Sequence, residues 1–209
     1  MSELYVLTDA ILTPADTVLA QVGAALEAGA KWVQWRNKNG NSNLNCSAAP
    51  DLNLISNLNS ICAKFEAKFI IDDDVFLARK IGASGVHLGK DDIGVDAARE
   101  ILGSNAIIGV SCYASIERAL AAQNAGADYV AFGAMYPSAT KPLAPLCPPQ
   151  IVHEAKKRLK IPVCVIGGIN MGNIAEVSNL NPDMIAVVSA AWKNNATYKN
   201  VSNLISNLK

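Results

Sequence analysis

The chain has 209 residues, 51% of them hydrophobic and 17% charged, with 18 basic and 18 acidic side chains. That composition supplies apolar material for a closed core and excludes charge-rich disorder. Charge is balanced and no Lys/Arg run exceeds three residues, which speaks against binding nucleic acid or an anionic membrane through bulk charge.

Met1-Ser2-Glu3-Leu4 shows no basic segment followed by an apolar one, so no signal peptide is expected. No apolar stretch reaches the roughly 18 residues of a membrane span. The five cysteines, Cys46, Cys62, Cys112, Cys147 and Cys164, are far apart and form no Cys-x-x-Cys pair. They read as reduced thiols of a cytoplasmic protein rather than a zinc site or disulfide framework. The sequons at Asn45, Asn195 and Asn200 are then expected to be unused.

In chain order, an apolar strand is expected at 4–9, followed by a helix in which Val18, Val22 and Leu26 recur at four-residue spacing. The helix ends at Gly29, and a strand at 32–36 runs into Gln34-Trp35-Arg36-Asn37-Lys38. Alternation puts Gln34, Arg36 and Lys38 on one side. An amide and two cations suit a polar ring carrying an anionic group, although a solvated loop start would look the same. Residues 37–50, rich in Asn and Ser, form a long loop. The next strand, 68–72, ends in Asp72-Asp73-Asp74, and the strand 85–89 is followed by Asp91-Asp92. Aspartates before a helix cap its free N–H groups. Two carboxylates on adjacent loops, with water and a phosphate, also make a Mg²⁺ shell. His87, within its strand, reads as a packed, hydrogen-bonded histidine.

The strand 106–111 ends in Ser111, a hydrogen-bond donor or a helix cap. A helix with Ile116, Leu120 and Asn124 at four-residue spacing ends at Gly126, before a strand at 129–133. The loop 134–149 carries five prolines and the run Ser138-Ala139-Thr140-Lys141, which suits a phosphate or carboxylate or is a turn with a solvated lysine. Strands at 162–168 and 184–190 end in Gly167-Gly168 and Val188-Ser189. Paired glycines let backbone N–H groups approach an anion.

One unit repeats. Ala24-Ala25-Leu26-Glu27-Ala28-Gly29-Ala30 resembles Ala121-Ala122-Gln123-Asn124-Ala125-Gly126-Ala127, and the stretch 78–86, with Gly82, is a looser copy. Each is a helix closed by a left-handed glycine and followed by a strand. Eight Val/Ile-rich runs alternating with helices predict a single (β/α)₈ TIM barrel over 1–209, in preference to a six-strand open sheet. Ile55-Ser56-Asn57-Leu58 and Ile205-Ser206-Asn207-Leu208 read as compositional bias within surface helices. In such barrels the chemistry sits at the C-terminal strand ends, with a phosphate site after the last two strands.

These motifs together resemble the thiamine-phosphate synthase family, over nearly the whole length. Gln34-Trp35-Arg36-Asn37-Lys38 is similar to its Gln-Leu-Arg-Glu-Lys, and Ile70-Ile71-Asp72-Asp73 to its Ile-Ile-Asn-Asp. Gly85-Val86-His87-Leu88-Gly89-Lys90-Asp91-Asp92 is similar to its Gly-Val-His-Leu-Gly-Gln-x-Asp. Gly109-Val110-Ser111, Ser138-Ala139-Thr140-Lys141, Ile166-Gly167-Gly168-Ile169 and Val188-Ser189 also match.

The resemblance implies that a hydroxymethylpyrimidine diphosphate joins a hydroxyethylthiazole phosphate, releasing pyrophosphate, with Mg²⁺ as cofactor. Arg36, Lys38 and Lys141 would hold the diphosphate, and Gln34, Trp35, Asn37, Asp72 and Ser111 would complete the pyrimidine diphosphate site. Arg36, Lys38, Ser111 and Lys141 would be catalytic. Ser138, Ala139, Thr140, Gly168, Val188 and Ser189 would hold the thiazole phosphate, and Asp73 and Asp92 the metal. Small-molecule substrates are the expected partners, without nucleic acid or membrane, and a homo-oligomer is left open.

The sequence departs from the pattern at Asp72 for Asn, Lys90 for Gln, Asn37 for Glu and Ser138 for Thr, and the segment 142–149 lacks an expected glycine. Lys90 is expected to offset the charge of Asp72. A thiazole tautomerase-like paralogue would not need both metal carboxylates. A non-catalytic binder of thiamine intermediates is the rival from another class. A tryptophan-pathway isomerase on the same barrel would leave the acidic pair and the 34–38 motif without purpose.

Overall fold

A computed structural model describes residues 1–36, 51–138 and 144–209. Its strands are β1 (Glu3–Leu7), β2 (Trp32–Trp35), β3 (Lys68–Asp72), β4 (Gly85–Leu88), β5 (Ile107–Tyr113), β6 (Tyr129–Phe132), β7 (Val163–Ile166) and β8 (Met184–Val187). Each pairs in parallel with the next, and β8 pairs back onto β1. The sheet therefore closes. The helices are α1 (Val18–Glu27), α2 (Leu52–Lys64), α3 (Val75–Ile81), α4 (Val95–Leu102), α5 (Ile116–Asn124), α6 (Pro149–Arg158), α7 (Ile174–Ser178), α8 (Ser189–Trp192) and α9 (Thr197–Ser206). This is the expected (β/α)₈ barrel. Most strands end short of the sequence expectation, because Arg36, Gly89, Gly133 and Val188 leave the ladder to shape the mouth.

Strand alternation sorts the side chains into two layers. Val6, Val33, Phe69, Val86, Ile108 and Val130 face the helices and join their apolar stripes in the main core. Tyr5, Leu7, Ile70, Tyr129, Cys164 and Met184 fill the barrel interior. The repeated glycines Gly29, Gly82 and Gly126 all have positive φ, at 105°, 63° and 89°, which closes each helix as expected. Of the two Ile-Ser-Asn-Leu segments, the first falls in α2 and the second straddles the C-terminal end of α9, and both helices pack on α1. Ile55 and Leu58 are fully buried, so the first of them is core sequence and not surface bias.

The strand starts are tied across the bottom of the barrel. Asp183, preceding β8, accepts the Val163 N–H at 2.7 Å and pairs with Lys156 of α6 at 2.6 Å. Asp128, preceding β6, repeats this with the Ile108 N–H at 2.7 Å and Arg99 of α4 at 2.6 Å. Ser84, preceding β4, accepts the Phe69 N–H at 3.0 Å. Each side chain locks one strand's register against its neighbour, away from the mouth. No helix among the described residues is long and apolar enough to cross a membrane.

Candidate active site

A cavity of about 350 Å³ opens at the C-terminal ends of the strands. Gln34, Arg36, Asp72, His87, Ser111 and Val188 line it because they continue the inward parity of their strands. Gln34 is buried, and Arg36 and Asp72 face one another, Nε to Oδ2, at 3.5 Å. Trp35 has the opposite parity. Its indole packs on the outer core, so its side chain belongs to the helical layer and not to the cavity wall. Asn37, Lys38, Ala139, Thr140 and Lys141, with Cys46, lie outside the described residues.

The three consecutive aspartates take three tasks. Asp72 closes β3 and meets Arg36. Asp73 sits at φ 63°, donates its N–H to the His87 carbonyl at 2.9 Å and lines the cavity. Asp74 turns away and caps α3, accepting the Leu77 N–H at 2.8 Å. The capping reading of the cluster thus holds for Asp74. Asp92 also lines the cavity, and its Oδ2 accepts the Gly89 N–H at 2.6 Å, folding the β4–α4 turn back on itself. Lys90 lies 3.8 Å from Asp91, both exposed. Arg36 is a cation that faces Asp72, whereas Lys90, expected to offset the charge of Asp72, contacts Asp91.

Asp73 and Asp92 offer hard carboxylate oxygens to one rim of the cavity. The neighbouring histidine is committed elsewhere, with a hydrogen bond at 2.9 Å on each ring nitrogen. Among the described residues no group of three or more His, Cys, Asp or Glu side chains is assembled for a metal. Two carboxylates without a soft ligand fit Mg²⁺, which keeps water and phosphate oxygens in its shell, and do not fit zinc.

A chain of polar side chains crosses the barrel beneath the mouth. Gln34 Nε2 donates to Tyr5 OH at 2.9 Å, Tyr5 OH meets Tyr129 OH at 3.1 Å, and Tyr129 OH meets His87 Nδ1 at 2.9 Å. His87 Nε2 then meets Ser111 Oγ at 2.9 Å. Sequence reasoning foresaw a hydrogen-bonded His87 but missed Tyr5 and Tyr129. The available signal was Gly109 in mid-strand, since a Cβ there would collide with the Tyr129 phenol. Arg118 of α5 was also missed. Its Nε donates to the Ser111 carbonyl at 2.7 Å and its Nη2 to the Gly89 carbonyl at 3.2 Å, holding the ends of β5 and β4 together. Burial pushes both phenols' pKa values up, so each stays protonated.

Across the barrel, Gly168, Val188 and Ser189 form the other wall, with Ser138 beside them. Gly168 has φ 65°, and a Cβ on it would stand 2.6 Å from the Pro137 carbonyl and 2.7 Å from Tyr136 Cβ. Only glycine lets the β7 loop press against the β6 loop here. The Gly167 carbonyl accepts the Tyr136 N–H at 3.0 Å, completing that seam.

A family model described as thiamine monophosphate synthase matches residues 4–191. The chain belongs to the thiamine monophosphate synthase family. It is 45% identical to a thiamine-phosphate synthase of Marinobacter nauticus over 90% of this chain and 82% of that protein. It is 44% identical to that of Thioalkalivibrio sulfidiphilus over 90% and 87%. A solved thiamine phosphate pyrophosphorylase of Pyrococcus furiosus superposes with a TM-score of 0.85 at 35% identity, covering 98% of this chain and 94% of that one. Membership in this family makes the chain an enzyme of the transferase class.

Proposed function

We propose that the chain joins 4-amino-2-methyl-5-hydroxymethylpyrimidine diphosphate to hydroxyethylthiazole phosphate, releasing pyrophosphate and forming thiamine phosphate. The observation that carries this reading is the division of one cavity into two unlike walls. Arg36, Asp73 and Asp92 stand on the β2–β4 side, and Gly168, Val188 and Ser189 on the β7–β8 side. One wall suits a diphosphate with its metal, the other a single phosphate.

The methylene C–O bond breaks with its electron pair leaving on the diphosphate. The thiazole nitrogen supplies the pair for the new C–N bond. No enzyme nucleophile is required. Bound Mg²⁺, held by Asp73 and Asp92, would neutralise charge on the leaving group. Arg36 would add a second positive charge, with Lys38 and Lys141 assigned the same task by family resemblance. Gln34 and Ser111 would orient the pyrimidine, and Gly168, Val188 and Ser189, with the 138–140 segment, the thiazole phosphate. Catalysis of this kind is positioning plus electrostatics.

The test is a single assay with purified protein, both substrates and Mg²⁺. Thiamine phosphate and pyrophosphate in equal amounts are expected. Absence of both products overturns the proposal, and proton exchange on the thiazole alone would instead mark a tautomerase.

A further inference from the structure

The polar chain beneath the cavity has a direction. Each hydroxyl carries one proton and a neutral imidazole one N–H. Gln34 Nε2 donates to Tyr5 OH at 2.9 Å, so the Tyr5 oxygen is an acceptor there and its own proton must go elsewhere. Among the described residues its acceptor is Tyr129 OH, at 3.1 Å. The Tyr129 proton then goes to His87 Nδ1, His87 carries its proton on Nε2, and that proton goes to Ser111 Oγ. The Ser111 proton is left for the cavity. The reverse order at the two phenols would strand a buried proton on Tyr5, which is 2% exposed, and a buried donor without an acceptor is costly. At the other end, no described residue donates to Gln34 Oε1. The wall thus presents an acceptor from β2 and a donor from β5.

We infer that Tyr129 is a positioning residue which, through Tyr5 and His87, couples the hydrogen-bonding sense of Gln34 to that of Ser111 and so selects an aminopyrimidine over an oxopyrimidine. An aminopyrimidine edge offers an N–H donor for Gln34 and a ring-nitrogen acceptor for Ser111. An oxopyrimidine offers the reverse pattern. To accept it, the Gln34 amide must turn and the protons on Tyr5, Tyr129, His87 and Ser111 must all shift together. Tyr129 is 1% exposed and does not line the cavity, so it acts through its neighbours and not on substrate. Its seat is built in, because the glycine at 109 leaves room for the phenol. Tyr129→Phe removes the acceptor of the Tyr5 proton, so Tyr5 donates to the Gln34 amide oxygen instead, the amide turns its Nε2 toward the cavity, and the selection is lost.

The inference rests on the pyrimidine reading above, and the experiment separates the two. Steady-state kcat and KM are measured for the aminopyrimidine diphosphate and its oxo analogue, with saturating thiazole phosphate and Mg²⁺. The proteins are the wild type, Tyr129→Phe, Tyr5→Phe and the double variant, with folding checked by circular dichroism. The amino-over-oxo ratio of kcat/KM should fall about ten- to a hundredfold in each single variant, mainly through KM. The KM for thiazole phosphate and inhibition by inorganic pyrophosphate should stay at wild-type values. The double variant should lose no more than either single one, because both cut the same chain. An unchanged ratio in a folded variant, or additive losses, overturns the inference. If Tyr129→Phe does not fold, Tyr5→Phe decides alone. A wild type that forms no thiamine phosphate overturns the functional reading instead.

Discussion

Arg36 Nε stands 3.5 Å from Asp72 Oδ2, with the two side chains 15% and 11% exposed. The guanidinium assigned to an incoming diphosphate already shares its charge with a carboxylate from the next strand. The bidentate fork of an arginine suits phosphate as well as carboxylate, so the two compete for it. Asp72→Asn should relieve that competition and lower the KM for the pyrimidine diphosphate about two- to fivefold, the worth of a partly screened pair. Lys90→Gln should move KM less, because Lys90 pairs with Asp91 in solvent. An unchanged or higher KM in Asp72→Asn would contradict this assignment.

Asp73 and Asp74 are adjacent in sequence and should behave as strangers. Asp73→Ala removes a proposed metal ligand and should lower kcat/KM by at least about 10²–10³, the usual cost of one electrostatic group at a reacting centre. Chelation of the wild type with EDTA should mimic it. Asp74→Ala removes the α3 cap and should cost about 1 kcal/mol of stability with little change in rate. Thermal unfolding and steady-state kinetics on the pair decide, and full activity of Asp73→Ala without metal would remove the Mg²⁺ assignment.

Gly168→Ala combines a left-handed φ of 65° with a Cβ 2.6 Å from the Pro137 carbonyl. Backbone must move on one loop or the other. Stability should fall by about 1–3 kcal/mol, and the KM for thiazole phosphate should rise about tenfold or more while that for the pyrimidine diphosphate holds. A wild-type thiazole KM would show that the β6–β7 seam does not shape that site.

Stability should also fall on the alkaline side. Burial pushes the Cys62 and Cys112 thiols from 9.0 up to about 12. Between those values the unfolded chain has released protons that the folded chain retains, so the slope of unfolding free energy with pH is negative. These thiols' contribution is whole below pH 9 and is lost as pH rises from 9 to about 12. Melting temperature measured across that window should decline, and Cys62→Ala should decline less steeply from its own lower starting point. A flat or rising melting temperature in the wild type would refute the argument.

Much of the mouth was legible because strand alternation is a local rule. Once Gln34 faces inward, Arg36 must follow, and Ser111 and Val188 are placed by the same parity. The helix–glycine–strand repeat located the strand starts for a similar reason, since a left-handed glycine and the turn after it are set within a few residues. Trp35 shows the limit of reading by resemblance, because a motif counted as one block has side chains on two faces. Asp72, Asp73 and Asp74 show another limit. Capping, ion pairing and cavity lining all favour aspartate, so residue type alone could not divide the tasks.

By itself the sequence determined the barrel, its eight inward faces and the set of polar residues at their C-terminal ends, because these follow from periodicity and chain-local turn chemistry. The tertiary structure alone decided which of those residues meet. Arg36 reaches Asp72 because β2 and β3 are neighbours in register. Tyr5 reaches Tyr129, 124 residues away, because closure of the sheet turns β1 and β6 toward one interior, and no local signal specifies a hydrogen bond across that span.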